Sequence, residues 1–307
     1  MYTRRDFGKL ALAAIPLTGI AATNSVEIGV ATFSYNTLPL AGQLDAIIAS
    51  MRDCGVKSCL LNPPSTEPVE LSSKARPPRG AGRGRAPLTP EQTAALEDLR
   101  QWHLTVQLDY YVALRKKFTD AGLEIDTYEP SLGAATSDED INRAFEVTKT
   151  LGARYLADNF SKSIARRVAP FADKHNVKVA LQGRLMNSTD PDAMSKPADF
   201  EEAMTYSKNF GSSIDIGDAT GGGWDALKFI QDTHPRVFSL NIKDRTKAGL
   251  SVPWGEGDSR VKETFQLIRD KNYPIRCFID CDYATAEGRT RVADIKRCAE
   301  FARAALS

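Results

Sequence analysis

The chain has 307 residues, of which 42% are hydrophobic and 26% charged, and its 40 lysines and arginines offset 39 aspartates and glutamates to a net charge of +1. That apolar content suffices for one large core, so one domain plus an appendage is expected. The near-zero charge leaves no global field to draw in nucleic acid or an anionic membrane, and a small neutral or locally charged ligand is the expected partner.

The first residues read Thr3-Arg4-Arg5-Asp6-Phe7-Gly8-Lys9, followed by an apolar run from Leu10 to Ala22 broken by Pro16 and Gly19. Paired arginines, a short apolar region and small residues resemble a twin-arginine export signal. The run is too short to cross about 30 Å of hydrocarbon as a helix, so no stable membrane insertion is expected. Residues 1–25 are read as this signal, with cleavage plausible near Ala21 or Ala22, and the destination as periplasmic or extracellular. The five cysteines, Cys54, Cys59, Cys277, Cys281 and Cys298, form an odd set without paired metal-type spacing and are expected to be buried as small apolar side chains.

From residue 26 onward, β-rich runs alternate with amphipathic stretches. The expected strands are Glu27 to Ser34, Lys57 to Leu61, Leu123 to Tyr128, Arg154 to Asn159, Val177 to Leu181, Ser212 to Ile216, Val237 to Ile242 and Ile275 to Asp282. The expected helices include Leu44 to Cys54, Asp138 to Leu151, Ile164 to His175, Pro197 to Asn209, Trp224 to Thr233, Val261 to Lys271 and Val292 to Ala305. This alternation predicts an α/β fold, a (β/α)₈ TIM barrel in a single domain spanning 26–307. A doubly wound open sheet would present a glycine-rich turn after its first strand, whereas Ser34-Tyr35-Asn36-Thr37-Leu38-Pro39 holds no glycine. Between Asn62 and Pro90 the chain is rich in proline, glycine and arginine. A long, flexible insertion after the second strand is expected there, either a solvated loop or a lid offering arginines to an anionic substrate.

Barrels of this kind place their chemistry where strands end. Those ends carry Tyr35, Asn62, Glu129, Asn159, Gln182 with Arg184, Asp215 with Asp218, Asn241 with Lys243 and Asp244, and Asp280 with Asp282. Polar groups from nearly every strand would thus face one cavity. The segments Val179-Ala180-Leu181-Gln182, Ile214-Asp215-Ile216-Gly217-Asp218, Leu240-Asn241-Ile242-Lys243-Asp244-Arg245, Pro253-Trp254-Gly255-Glu256-Gly257-Asp258 and Phe278-Ile279-Asp280 resemble the fifth to eighth strand signatures of the xylose-isomerase-like sugar phosphate isomerases and epimerases. The resemblance covers the C-terminal half, and the N-terminal half matches in rhythm. It implies a divalent cation held by carboxylates and histidine, and proton transfer between neighbouring carbons through an enediolate.

This sequence departs from that pattern at most ligand positions. Gln182 stands where relatives carry Glu or His, Arg184 and Asp218 where many carry His, Asn241 at another His position, and Asp280 in place of a Glu. Only Asp215 matches as a ligand, so the resemblance implies at most a weak Mg²⁺, Mn²⁺ or Ca²⁺ site at Asp215 and Asp280, or no metal. Carboxamides offer oxygens but exchange no proton near neutrality. His103, His175 and His234 fall on or at the ends of helices and are read as surface or capping residues.

Two functions follow. The first is a sugar isomerase or epimerase with an altered centre, using either the weak divalent site at Asp215 and Asp280 or Lys243 and Arg184 as electrophiles in place of the metal. Lys243 would polarise a carbonyl while Asp280 or Asp282 transfers the proton, although Lys243 could equally serve only in an ion pair with a neighbouring aspartate. The second is a non-catalytic carbohydrate-binding barrel, in which Tyr35, Trp254 and Tyr283 stack on sugar faces. In either, Asn159, Gln182, Arg184, Asp218, Asn241 and Glu256 contact a sugar or sugar derivative.

Overall fold

A computed structural model describes residues 26–76, 88–183 and 188–307. The expected signal segment, the arginines between 77 and 87, and Arg184 lie outside the described residues.

The strands β1 (Ile28–Ala31), β2 (Ser58–Leu61), β3 (Glu124–Tyr128), β4 (Tyr155–Asn159), β5 (Lys178–Gln182), β6 (Phe210–Asp215) and β7 (Val237–Ile242) pair in parallel in chain order. Two short strands, β8 (Asp244–Arg245) and β9 (Ser251–Val252), form an antiparallel ribbon in the next connection. The last strand, β10 (Arg276–Ile279), pairs with both β7 and β1 and closes the cylinder. Helices α1 (Gln43–Cys54), α2 (Val69–Ala75), α3 (Pro90–Thr105), α4 (Leu108–Asp120), α5 (Asp138–Leu151), α6 (Lys162–His175), α7 (Pro197–Met204), α8 (Ile216–Gly221), α9 (Ala226–Thr233), α10 (Val261–Lys271) and α11 (Arg291–Leu306) fill the connections. The protein is a (β/α)₈ TIM barrel.

Alternation along the strands divides the core in two. Val30, Cys59, Leu156, Val179, Leu240 and Cys277 pack outward against Ile47, Phe118, Phe145, Val168, Phe265 and Ile295 of the helices. Ala31, Leu60 and Phe278 form a separate cluster. A Cβ at Gly29 would stand 2.8 Å from the Phe278 ring and 2.7 Å from Ser58, so only glycine leaves room for that ring. Ser239 donates to Ser213 at 2.8 Å across β7 and β6, satisfying two hydroxyls at fully buried positions.

Helices α3 and α4 are not among the expected elements, β1 and β10 are shorter than expected, and two further regions that differ bear on the site. The segment expected to be a loop from Asn62 to Pro90 holds a 3-10 turn at Pro63–Ser65 and helix α2 in its described part. Ala75 packs with Ala95 and Leu99 of α3, with Leu71 and Trp102 beside them, and this apolar seam outweighs the local proline and arginine content. Glu67 anchors the same segment: it pairs with Arg76, stands 3.0 Å from His103 Nε2 and accepts from Ser72 at 2.8 Å. His103 is therefore a half-buried partner of a carboxylate rather than a free surface group. The second difference is at β6, which ends at Asp215 instead of Ile216. The Asp215 carboxylate accepts from the backbone N–H groups of Gly217 and Asp218 and starts α8 there.

Candidate active site at the mouth of the barrel

The C-terminal ends of the strands bring four of the expected residues to neighbouring positions. Asn159 lies opposite Gln182 across β4 and β5, and Asp215 lies opposite Asn241 across β6 and β7. Asp280, one residue beyond β10, donates its backbone N–H to the carbonyl of Ile242 and so stands beside Lys243.

Lys243 is the centre of the mouth. Its Nζ is 2.9 Å from Asp215 Oδ2, 3.2 Å from Asp280 Oδ2 and 3.7 Å from Asp282 Oδ2, and its side chain is only 14% exposed. Arg245 forms a second bridge, 2.7 Å from Asp282 Oδ2 and 3.2 Å from Asp218 Oδ1, while donating to the carbonyl of Gly249 at 3.1 Å. Among the described residues, four carboxylates stand against two cations in this network, an excess of two negative charges when all are ionised. The protonation equilibria follow. Burial raises the Asp280 carboxyl to about 6 against the pull of Lys243, with the charges of Asp215 and Asp282 adding to the rise. Burial, and then the Asp215 charge, bring Asp218 to about 7. Burial alone would lower Lys243, but the surrounding aspartates outweigh it and hold its ammonium well above the ordinary lysine value.

Among the described residues, three buried side-chain atoms at the ends of the barrel strands find no hydrogen-bond partner: Gln182 Nε2, Asn241 Oδ1 and Asp280 Oδ1. One is a donor and two are acceptors, a set that complements hydroxyl groups. A small hollow of about 10 Å³ lies alongside, lined by Gly183, Met194, Ser195, Phe200, Asp215, Asp218 and Trp224.

A divalent cation does not fit this arrangement. Its two expected ligands, Asp215 and Asp280, both direct an oxygen at the Lys243 ammonium, which takes the position a shared cation would need. Asp215 Oδ1 is further committed to two backbone donors. Among the described residues no group of three or more His, Cys, Asp or Glu side chains is arranged to hold a metal ion.

Four expected ligand contacts are corrected. Tyr35 is fully buried, and its hydroxyl donates to Ser50 of α1 at 3.0 Å, because the 3-10 turn at Thr32–Tyr35 swings the ring into the outer core. Trp254 is 7% exposed and packs against Phe265 and Phe301 of α10 and α11, with ring centroids 6.0 and 6.1 Å away. Tyr283 is likewise buried, under the Arg291 guanidinium. Glu256 is exposed on the loop after β9 and is not brought into the ion-pair network. The Trp-Gly-Glu-Gly-Asp turn owes its residues to folding: Asp244 accepts from the backbone N–H groups of Gly255, Gly257 and Ser259 at 2.8, 3.0 and 3.1 Å.

Two residues of this region were not expected. Arg245 is read from the sequence only as part of a strand-end signature, since its return toward the mouth depends on the β8–β9 ribbon. Phe33, 45% exposed just past the end of β1, is an aromatic surface at the mouth end of the barrel where Tyr35 was expected to be.

No family model matches the sequence, and no curated protein is similar to it. Solved structures do share the fold. A D-psicose 3-epimerase determined in the presence of D-fructose is 11% identical, with a TM-score of 0.62, covering 91% of this chain and 99% of its own. An L-ribulose 3-epimerase is 14% identical with a TM-score of 0.61, covering 92% of this chain and 94% of its own. The probable 3-DHS dehydratase involved in petrobactin synthesis from Bacillus anthracis is 12% identical with a TM-score of 0.61, covering 89% and 97%. At these identities the likeness establishes a common barrel.

Proposed function

We propose that the protein is an exported sugar isomerase or epimerase that moves a proton next to a carbonyl, with the Lys243 ammonium stabilising the oxygen on which negative charge develops. The observation that carries this reading is that Gln182, Asn241 and Asp280, at the ends of the barrel strands, each keep a buried polar atom without a hydrogen-bond partner among the described residues, with Asp280 3.2 Å from the buried Lys243 ammonium. Hydroxyls of a sugar or sugar derivative satisfy all three, and a carbonyl oxygen is the natural acceptor for Lys243. The ketose epimerases among the structures sharing the barrel support the same substrate class.

In this mechanism Asp280, ionised above about 6, takes the proton from the carbon adjacent to the carbonyl. The electron pair moves onto the carbonyl oxygen, where Lys243 donates a hydrogen bond, and Asp280 or Asp218 returns a proton either to the opposite face of the same carbon or to the former carbonyl carbon. In the latter case the first carbon's hydroxyl proton passes to the former carbonyl oxygen and that hydroxyl becomes the new carbonyl. Asp282 and Arg245 keep the ammonium and the carboxylates in place. Gln182 and Asn241 orient hydroxyls without exchanging protons. Export rests on the Arg4-Arg5 pattern, and among the described residues no helix is long and apolar enough to cross a membrane.

The test is turnover of a panel of free and oxidised sugars in deuterated water, followed by NMR, with and without chelator. Deuterium entering at the carbon next to the carbonyl, unaffected by chelator and lost in Asp280→Asn, is the expected result. Saturable sugar binding without exchange would leave the carbohydrate-binding barrel, the reading that the two carboxamides favour. Exchange that requires added Mn²⁺ and disappears in Asp215→Asn would restore a metal mechanism.

A further inference from the structure

All five cysteines are buried free thiols. Two of them meet: Cys281 Sγ and Cys298 Sγ are 3.6 Å apart, and the Tyr283 hydroxyl lies 3.8 Å from Cys298 Sγ. Cys281 sits between Asp280 and Asp282, two of the carboxylates gathered by Lys243, while Cys298 lies on α11. Ser34 fixes this strand end, accepting from the Cys281 N–H at 2.9 Å and donating to the carbonyl of Ile279 at 3.3 Å.

We infer that Cys281 and Cys298 are a dithiol pair that oxidises to a disulfide, fastening the mouth end of β10 to α11 and with it the two carboxylates that flank Cys281. A disulfide needs a separation of about 2.05 Å, so the sulfurs must close by about 1.5 Å, within reach of small rotations of two side chains already in contact. Among the described residues Cys54, Cys59 and Cys277, on α1, β2 and β10 respectively, make no such sulfur–sulfur contact. The oxidant is a disulfide of the low-molecular-weight or protein class. One cysteine thiolate attacks it, forming a mixed disulfide and releasing a thiol, and the second attacks the mixed disulfide and releases another. Two cysteine S–H bonds and the oxidant's S–S bond are lost, one new S–S bond forms, and both protons leave on the two released thiols. Both thiols are buried, so attack on the oxidant waits on local opening of this strand end and the exchange is slow.

The experiment uses the full chain under native conditions, one half kept in dithiothreitol and the other incubated with oxidised glutathione. Remaining thiols are then alkylated in denaturant and peptides are mapped without reduction. The expected result is a Cys281–Cys298 linked peptide pair in the oxidised half alone, with Cys54, Cys59 and Cys277 alkylated in both halves. The oxidised half also melts higher, by roughly 5 °C from closure of the intervening loop, and Cys298→Ala removes that difference. Because the mapping is made on the unaltered protein, it stands even if the variant folds poorly. Five alkylated cysteines in both halves, linkage through a different pair, or glutathione retained on Cys281 or Cys298 would overturn the proposal.

Discussion

Replacing Lys243 by alanine removes the one cation among the described residues that Asp215, Asp280 and Asp282 share. Breaking a buried pair by deleting one partner costs about 3 to 5 kcal/mol, because the remaining charges stay desolvated without compensation. In a chain of this size that lowers Tm by roughly 10 °C. The loss depends on pH with a fixed sign. Without the ammonium the native carboxyls hold protons more tightly than in the unfolded chain, whose aspartates titrate near about 3.9. The penalty is therefore small where both states are protonated and grows as pH rises through the folded values, already about 6 for Asp280 with lysine present. The vacated position should also accept a hard divalent cation. Oxygens that stood 2.9 and 3.2 Å from the nitrogen need only modest closure to reach the roughly 2.3–2.6 Å that Ca²⁺ prefers. Thermal unfolding of wild type and Lys243→Ala at pH 4.5 and pH 8, with Ca²⁺, Mn²⁺ or chelator, reads both effects. Metal at about 100 times its Kd restores about 2.7 kcal/mol to the variant and nothing to the wild type. Equal stabilisation of both proteins by metal, or a variant as stable as wild type at pH 8, would refute the reasoning.

Asp280→Asn should abolish proton exchange into sugar and with it the acid limb of the wild-type rate profile, in which activity falls as pH drops through about 6; an unchanged limb would remove Asp280 from the role of base. Asp244→Ala leaves three backbone N–H groups of the loop after β9 without their acceptor, at a cost of about 2 to 4 kcal/mol in chemical denaturation. Gly257→Ala would set a Cβ 2.3 Å from Asp244 Oδ1, so the two changes act on one contact and their double variant should lose less than the sum of the singles. For Glu67, burial raises the carboxyl but hydrogen bonds with His103 and Arg76 outweigh it and bring it to about 2, below its ordinary 4.5. Its stabilisation is thus present above 4.5 and lost as pH falls toward 2, and Glu67→Gln should be less stable by about 2 kcal/mol at pH 7 and converge on wild type in that acid window.

The barrel was legible because its strands are short apolar runs whose outward residues, Val30, Cys59, Val179 and Cys277 among them, must meet amphipathic helices. Once strand ends are located, Gln182, Asp215, Asn241 and Asp280 are bound to share the mouth, and the structure brings them there. Side-chain direction in the loops beyond those ends was not legible. Tyr35 and Trp254 occupy positions near the mouth but point into the outer core, one by a 3-10 turn and the other by a loop bent at Gly255, where φ is 90°. Helix α3 went unread although Thr89-Pro90-Glu91-Gln92 carries a helix-start signal: Thr89 and Gln92 cap each other's backbone, with proline at the first helical position. Arg245 could be found only from the ribbon that turns it back, a contact between residues whose sequence spacing carries no periodic signal.

The electrostatics of the mouth connect the missing ligand residues to the proposed chemistry. A divalent ion would supply two positive charges where Lys243 supplies one. With Arg245 as the second cation among the described residues, four clustered aspartates exceed the cations beside them, and the least costly remedy in a buried site is to hold protons. Burial first, and then the neighbouring aspartate charges, move Asp280 and Asp218 to about 6 and about 7 although each stands beside a cation. Near neutral pH the network then contains carboxyls able both to give and to accept a proton, beside an ammonium that stays charged. Exchanging a bound cation for a tethered one weakens the charge that stabilises an enediolate, but the same deficit tunes the groups that would form it. The two consequences separate experimentally: Lys243→Arg keeps the charge and should keep the raised carboxyl values, while its larger, planar head group displaces the hydrogen bond to the substrate oxygen and lowers turnover without moving the pH at which it begins.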